Sequence, residues 1–153
     1  MRLASRSQYA ITAMLELALS DETEPTPLLE LSHKLNISLS YMEQLFARLR
    51  QHGLVKARRG PGGGYKLSRP LRDIMVSDIV CAVEDINDPT QETRHIPAPG
   101  EKSVSGRMLW KDLSKQVHKF LSGISLEEVM DNRSVSKHES QETKHPTLNH
   151  PVL

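Results

Sequence analysis

The apolar pattern of this chain changes its period beside a run of glycine. From Leu39 to Leu49 the apolar residues Leu39, Met42, Leu45, Phe46 and Leu49 recur at spacings of three and four, the repeat of a helix with one buried face. Leu54-Val55-Lys56-Ala57-Arg58 and Tyr65-Lys66-Leu67-Ser68 instead alternate, and Arg59-Gly60-Pro61-Gly62-Gly63-Gly64 lies between them. Two alternating segments joined by such a run predict a β-hairpin with a glycine-rich tip. A phosphate cradle is the poorer account of the glycines, because no Lys-Ser/Thr ending or strand-to-helix context accompanies them.

The segments before the hairpin read as helices. Tyr9, Ala10, Ala13, Met14, Leu17 and Ala18 place one stripe on a helix over 6–20, with Ser5 as its N-cap. Asp21 to Pro27 is acidic and proline-containing, an expected exposed connector. Leu28, Leu31 and Leu35 give a short second helix ended by Asn36, and a serine of the Ile37–Ser40 turn caps the third, over 39–52, which Gly53 stops. After the hairpin, Val76, Ile79, Val80 and Val83 predict a helix over 74–83. Residues 85–104 carry three prolines and no periodicity, as a linker would. Met108, Leu109, Leu113, Val117, Phe120 and Leu121 define a long amphipathic helix, and Ser125 with Glu128 forms a capping box for a short terminal one. Residues 133–153 are polar and expected to be disordered. The fold class is thus mainly α with a small β-hairpin: a winged helix-turn-helix over 1–84, the linker 85–104, a dimerisation helix with a terminal helix over 105–132, and a tail. Only 4% of residues are aromatic, which also speaks against an all-β fold.

Net charge is +1, yet the charges segregate. Gln44 to Arg72 holds eight basic residues and no acidic one (Arg48, Arg50, Lys56, Arg58 and Arg59, then Lys66, Arg69 and Arg72). Such a local excess suggests a face for an anionic partner. Helix, tight turn, helix and basic hairpin are the parts of a double-stranded DNA reader, with the second helix in the major groove and the wing on backbone or minor groove. Ser38, Ser40, Tyr41, Glu43 and Gln44 crowd the start of that helix. Gln44 suits an adenine edge, Glu43 a cytosine amino group, and the hydroxyls suit phosphates. Arg48 and Arg50 follow on the polar side, and Arg59 suits a narrow minor groove.

Several motifs then bear a family likeness: Met1-Arg2-Leu3, Tyr9-Ala10-Ile11-Thr12-Ala13-Met14, Ile37 through Phe46, Arg59 through Tyr65, Leu109-Trp110-Lys111-Asp112-Leu113 and Ile124-Ser125-Leu126. Across 1–132 the chain resembles the IscR-type iron-sulfur cluster regulators and their wider winged-helix family. The resemblance implies a homodimeric, cytoplasmic transcription factor on a pseudo-palindromic operator, with RNA polymerase as a further partner and iron-sulfur assembly or stress genes as targets. It also implies that Tyr9, Ser38, Ser40, Tyr41, Glu43, Gln44, Arg59 and Gly60 lie at the DNA interface, with Glu43 choosing between site types. Met108, Leu109, Leu113, Val117, Phe120 and Leu121 are the expected dimer seam.

The family holds a two-iron, two-sulfur cluster on three linker cysteines and a histidine. Counted back from Trp110, those positions are Glu92, Ala98, Val104 and Arg107. Alanine and valine carry no lone pair to donate, and the chain has one cysteine, Cys81, outside the linker. No cluster and no other metal is expected, because His95 and His118 cannot supply converging thiolates. Cys81 reads as buried apolar filler, although a redox- or ligand-sensing regulator using Cys81 or the linker is an alternative. A second alternative is a protein-interaction module that has lost DNA binding. No nucleophile-base or paired-carboxylate arrangement emerges, so no enzyme is expected. One cysteine, no charged-then-apolar leader and only short, interrupted apolar runs lead to the expectation of an intracellular chain without membrane insertion.

Overall fold

A computed structural model describes residues 4–20, 23–84 and 104–132, with side chains from 106 onward in the last segment. The linker from 85 to 103, with positions Glu92 and Ala98, and the tail from 133 to 153 lie outside the described residues. The element order is α1 (Ser5–Leu19), α2 (Leu28–Leu35), α3 (Leu39–Gln51), β1 (Val55–Arg58), β2 (Gly64–Leu67), a 3-10 turn at Leu71–Asp73, α4 (Val76–Glu84) and α5 (Val104–Ser122). A last helical segment, α6, spans 126–132.

Local chemistry sets most boundaries. Ser38 is the N-cap of α3, its Oγ accepting from the Tyr41 amide at 3.2 Å, an interaction of about 1 kcal/mol. Asn36 ends α2 in the left-handed region at φ 53°, so α2 and α3 meet in a tight turn. Ser5 is the first residue inside α1 rather than its cap. Ala4 holds the cap position and supplies no side-chain acceptor.

The strands pair antiparallel, Val55 opposite Leu67 and Arg58 opposite Gly64. One side of the hairpin is extended by a segment that the sequence suggested was exposed. Thr26 and Tyr65 exchange both backbone hydrogen bonds at 2.9 Å, and Pro25 and Thr26 are buried. The correction has a packing cause: Gly64 has no Cβ, and one built there would come within 2.4 Å of Thr26 backbone atoms.

Met14, Leu31, Met42, Leu45, Phe46, Leu49 and Ile79 fill a core between α1, α2, α3 and α4. Leu39, expected on the apolar face of α3, is instead exposed near its start. The carboxyl-terminal segment joins this same core. Leu126 is fully buried, its amide donates to the Ile74 carbonyl at 2.8 Å, and the Val76 amide donates to the Ile124 carbonyl at 2.9 Å. Ser125 and Glu128 form the predicted capping box, the Glu128 carboxylate accepting from the Ser125 amide at 2.7 Å.

Candidate nucleic-acid interface

With Met42, Leu45, Phe46 and Leu49 buried, the helical repeat turns Ser40, Glu43, Gln44, Ala47 and Gln51 outward along α3. The side chains of Ser40, Glu43 and Gln44 have no hydrogen-bond or ionic partner among the described residues, so their polar edges remain available to bases. Ser38 spends an acceptor lone pair on its cap and retains its O–H for donation to a phosphate. The start of α3 also presents amide N–H groups and the positive end of the helix dipole.

α1 adds a contact beside this end. The Tyr9 and Tyr41 rings meet edge-to-face, centroids 5.9 Å apart at 85°, and Tyr9 remains 44% exposed. The contact links two of the predicted interface residues through ring packing. Arg59 and Gly60 are exposed in the wing turn. Gly60, at φ 92°, occupies a backbone region that disfavours side-chain-bearing residues, and Gly63 donates to its carbonyl at 2.9 Å. The Tyr65 ring packs on Phe46 at 5.0 Å, which ties the wing base to α3.

The structure divides the eight cations of the basic stretch. Arg48 is half-buried, and its Nη1 donates to the Val83 carbonyl at 3.1 Å. Arg6 donates to the same carbonyl at 3.2 Å, so two guanidinium groups meet the negative end of α4. Arg48 was predicted to face DNA because its position on α3 is polar. It instead bonds across the α3–α4 junction, since α4 brings the Val83 carbonyl to that position. Lys66 Nζ donates to the Thr23 carbonyl at 2.9 Å, and Arg69 pairs with Asp78 at 3.2 Å. The side chains of Arg50, Lys56, Arg58, Arg59 and Arg72 make no ion pair or hydrogen bond to the described residues.

On α5, Met108, Leu109 and Phe120 are 64%, 59% and 70% exposed, and Leu113 and Val117 are half-buried. Leu121, assigned to the same seam on spacing, is buried within the chain at 9% exposure. It lies where the end of α5 turns toward α6, and this docking was invisible to helical periodicity. Cys81 is half-buried rather than fully packed, with Sγ 3.7 Å from His118 Nδ1 across the α4–α5 contact. Desolvation and, secondarily, the Asp78 carboxylate raise its thiol pKa and disfavour the reactive thiolate.

The cluster positions offer no fitting donor set. Val104 begins α5, Arg107 is an exposed residue of its first turn, and Cys81 lies on α4. Among the described residues no three His, Cys, Asp or Glu side chains converge as metal ligands. No described helix is long and apolar enough to cross a membrane.

Residues 3–132 match the Rrf2 family model, whose description is iron-dependent transcriptional regulator. The HTH-type transcriptional regulator IscR of Photorhabdus laumondii is 45% identical over 135 residues, covering 88% of this chain and 82% of the relative. The IscR of Klebsiella pneumoniae is 42% identical over 147 residues, covering 96% and 90%. Among solved structures, CymR, the global cysteine regulator of B. subtilis, superposes with a TM-score of 0.65 at 30% identity, covering 86% of this chain and 98% of that one. T. potens IscR gives 0.64 at 27% identity, covering 96% and 93%. These relatives bear out the likeness drawn from the motifs and agree with a regulator rather than an enzyme; the chain belongs to the Rrf2 family of transcriptional regulators.

Proposed function

We propose that the chain is a homodimeric reader of pseudo-palindromic duplex DNA that acts without an iron-sulfur cluster, at promoters of iron-sulfur assembly or stress genes. The observation that carries the reading is the combination at one end of α3: unpartnered Ser40, Glu43 and Gln44 beside the Tyr9–Tyr41 pair, with Arg59 free in the wing. Gln44 and Glu43 read base edges in the major groove, while the α3 amides, Ser38 and the wing hold backbone or minor groove. Arg50 and other unpaired cations add a salt-dependent term.

The dimer reading rests on α5. Leu109, Leu113, Val117 and Phe120 follow spacings of four, four and three, an apolar stripe about 16 Å long. A second copy of α5 would cover it and present two readers to half-sites about one DNA turn apart. Cluster independence rests on the donor chemistry: one cysteine cannot replace the family's three cysteine ligands.

Anisotropy titration of anaerobically purified protein against candidate duplexes, over a salt series and with absorption spectra from the same samples, tests the reading. Tight, sequence-selective, salt-dependent binding by colourless protein is expected. An iron-sulfur spectrum whose loss changes operator affinity would overturn cluster independence, and sequence-blind, salt-insensitive association would favour a protein-interaction module.

A further inference from the structure

Beside the wing lies an open cleft of about 540 Å³, within the size range of small-molecule sites. The end of α1, the Pro25–Thr26 segment, both wing strands and Leu71 wall it. None of Tyr9, Ser38, Ser40, Tyr41, Glu43, Gln44, Arg59 and Gly60 lines it, which separates it from the proposed base-reading set.

Its chemistry is amphipathic and lopsided in charge. Leu17, Ala57, Leu67 and Leu71 contribute apolar surface, while among the described residues Lys56, Arg58, Lys66 and Arg69 line it with one carboxylate, Glu24. Lys56 and Lys66 are direct cross-strand partners, a placement in which like charges repel. Arg58 lies on the same face of β1 as Lys56, two residues on. Arg69 is paired with Asp78 and Lys66 is bonded to the Thr23 carbonyl, but Lys56 and Arg58 have no side-chain partner among the described residues. An anion bridging Lys56 and Arg58 would relieve this repulsion, and an apolar body would cover the adjoining surface.

We propose that this cleft binds a small organic anion with an apolar or aromatic body, held through Lys56 and Arg58. Because both wing strands form its wall, occupancy biases the position of Arg59 and hence operator affinity. That regulatory consequence rests on the DNA-binding reading above; the binding site itself does not.

The test titrates the full chain with anilinonaphthalene sulfonate, an aromatic anion whose fluorescence rises in an apolar setting. Saturable binding at one site per chain is expected, with displacement by benzoate but not by acetate or benzyl alcohol. The double variant Lys56→Gln/Arg58→Gln should weaken it at least about tenfold, by loss of charged hydrogen bonds. Ala57→Trp, at an exposed lining position, should block it, whereas Lys115→Gln on α5 should leave it unchanged. Fluorescence that ignores both cleft variants would overturn the site. So would a double variant that lowers duplex affinity and its salt slope while leaving dye binding intact, because the two cations would then be phosphate contacts. Duplex that fails to bind under any condition would sink the DNA reading and leave the dye result standing.

Discussion

Arg48 and Arg59 belong to one basic stretch, separated by eleven positions, and the fold uses them differently. At the α3–α4 junction Arg48 is half-buried and bonded to the end of α4, in company with Arg6. In the wing Arg59 is exposed and has no partner among the described residues. A cation bonded to a helix carbonyl becomes part of the scaffold; one on a turn away from any described acceptor remains available to an anionic ligand. Charge density along the sequence could locate a basic region but could not divide it between these roles.

The strongest way to break this contrast is at the root of the wing. Gly64→Ala forces a methyl group into the Thr26 and Pro27 backbones and should cost about 3 kcal/mol or more by chemical denaturation, with loss of operator binding as the wing detaches. Wild-type stability in this variant would show that the Thr26–Tyr65 bridge yields without consequence. Arg48→Ala should lower stability by about 2 kcal/mol and leave salt-corrected DNA affinity nearly unchanged. Arg59→Ala should do the reverse: about a tenfold loss in operator affinity, a salt slope smaller by about 1, and an unaltered unfolding midpoint. If Arg48→Ala instead lowers the salt slope as Arg59→Ala does, the division between scaffold and ligand cations fails.

The smallest effect concerns the α6 cap, a local contact that should not depend on either arginine. The Ser125 amide, and next its hydroxyl, hold the Glu128 carboxyl below its ordinary 4.5. A depressed folded pKa means that this stabilisation is complete above about 4.5 and is lost as pH falls through the lower folded value. Glu128→Gln should therefore be slightly less stable than wild type at neutral pH, and the difference should vanish in acid. A difference that persists unchanged to the lowest pH would show that the ionised carboxylate is not the capping group.

Features written in neighbouring residues were legible beforehand. The α2–α3 turn followed from Asn36 and the serine cap, the hairpin from alternation around glycine, and the α6 cap from Ser125 and Glu128. The outward polar face of α3 was also legible, because an amphipathic helix with a buried Met42–Leu45–Phe46–Leu49 face must turn its polar residues outward. The connector before α2 was misread. Its acidic and proline content suggested exposure, but Thr26 satisfies its backbone groups against Tyr65, a partner far along the chain. Tyr9 and Tyr41 are legible as interface residues one by one, but their ring contact is not, since α1 and α3 have no sequence relation that fixes their angle.

The sequence by itself determined the helices, the caps of α3 and α6, the wing and the residue types offered by α3, because those depend on contacts within three or four positions or on strict alternation. It also determined the lack of multiple cysteine ligands, since donor chemistry is a property of composition. Tertiary structure alone decided that Arg48 belongs to the scaffold, that Leu121 and Leu126 are buried in the chain, and that the wing strands wall a cleft. Those outcomes depend on carbonyls and apolar surfaces brought together from distant segments, where packing selects the partner and local pattern carries no record of it.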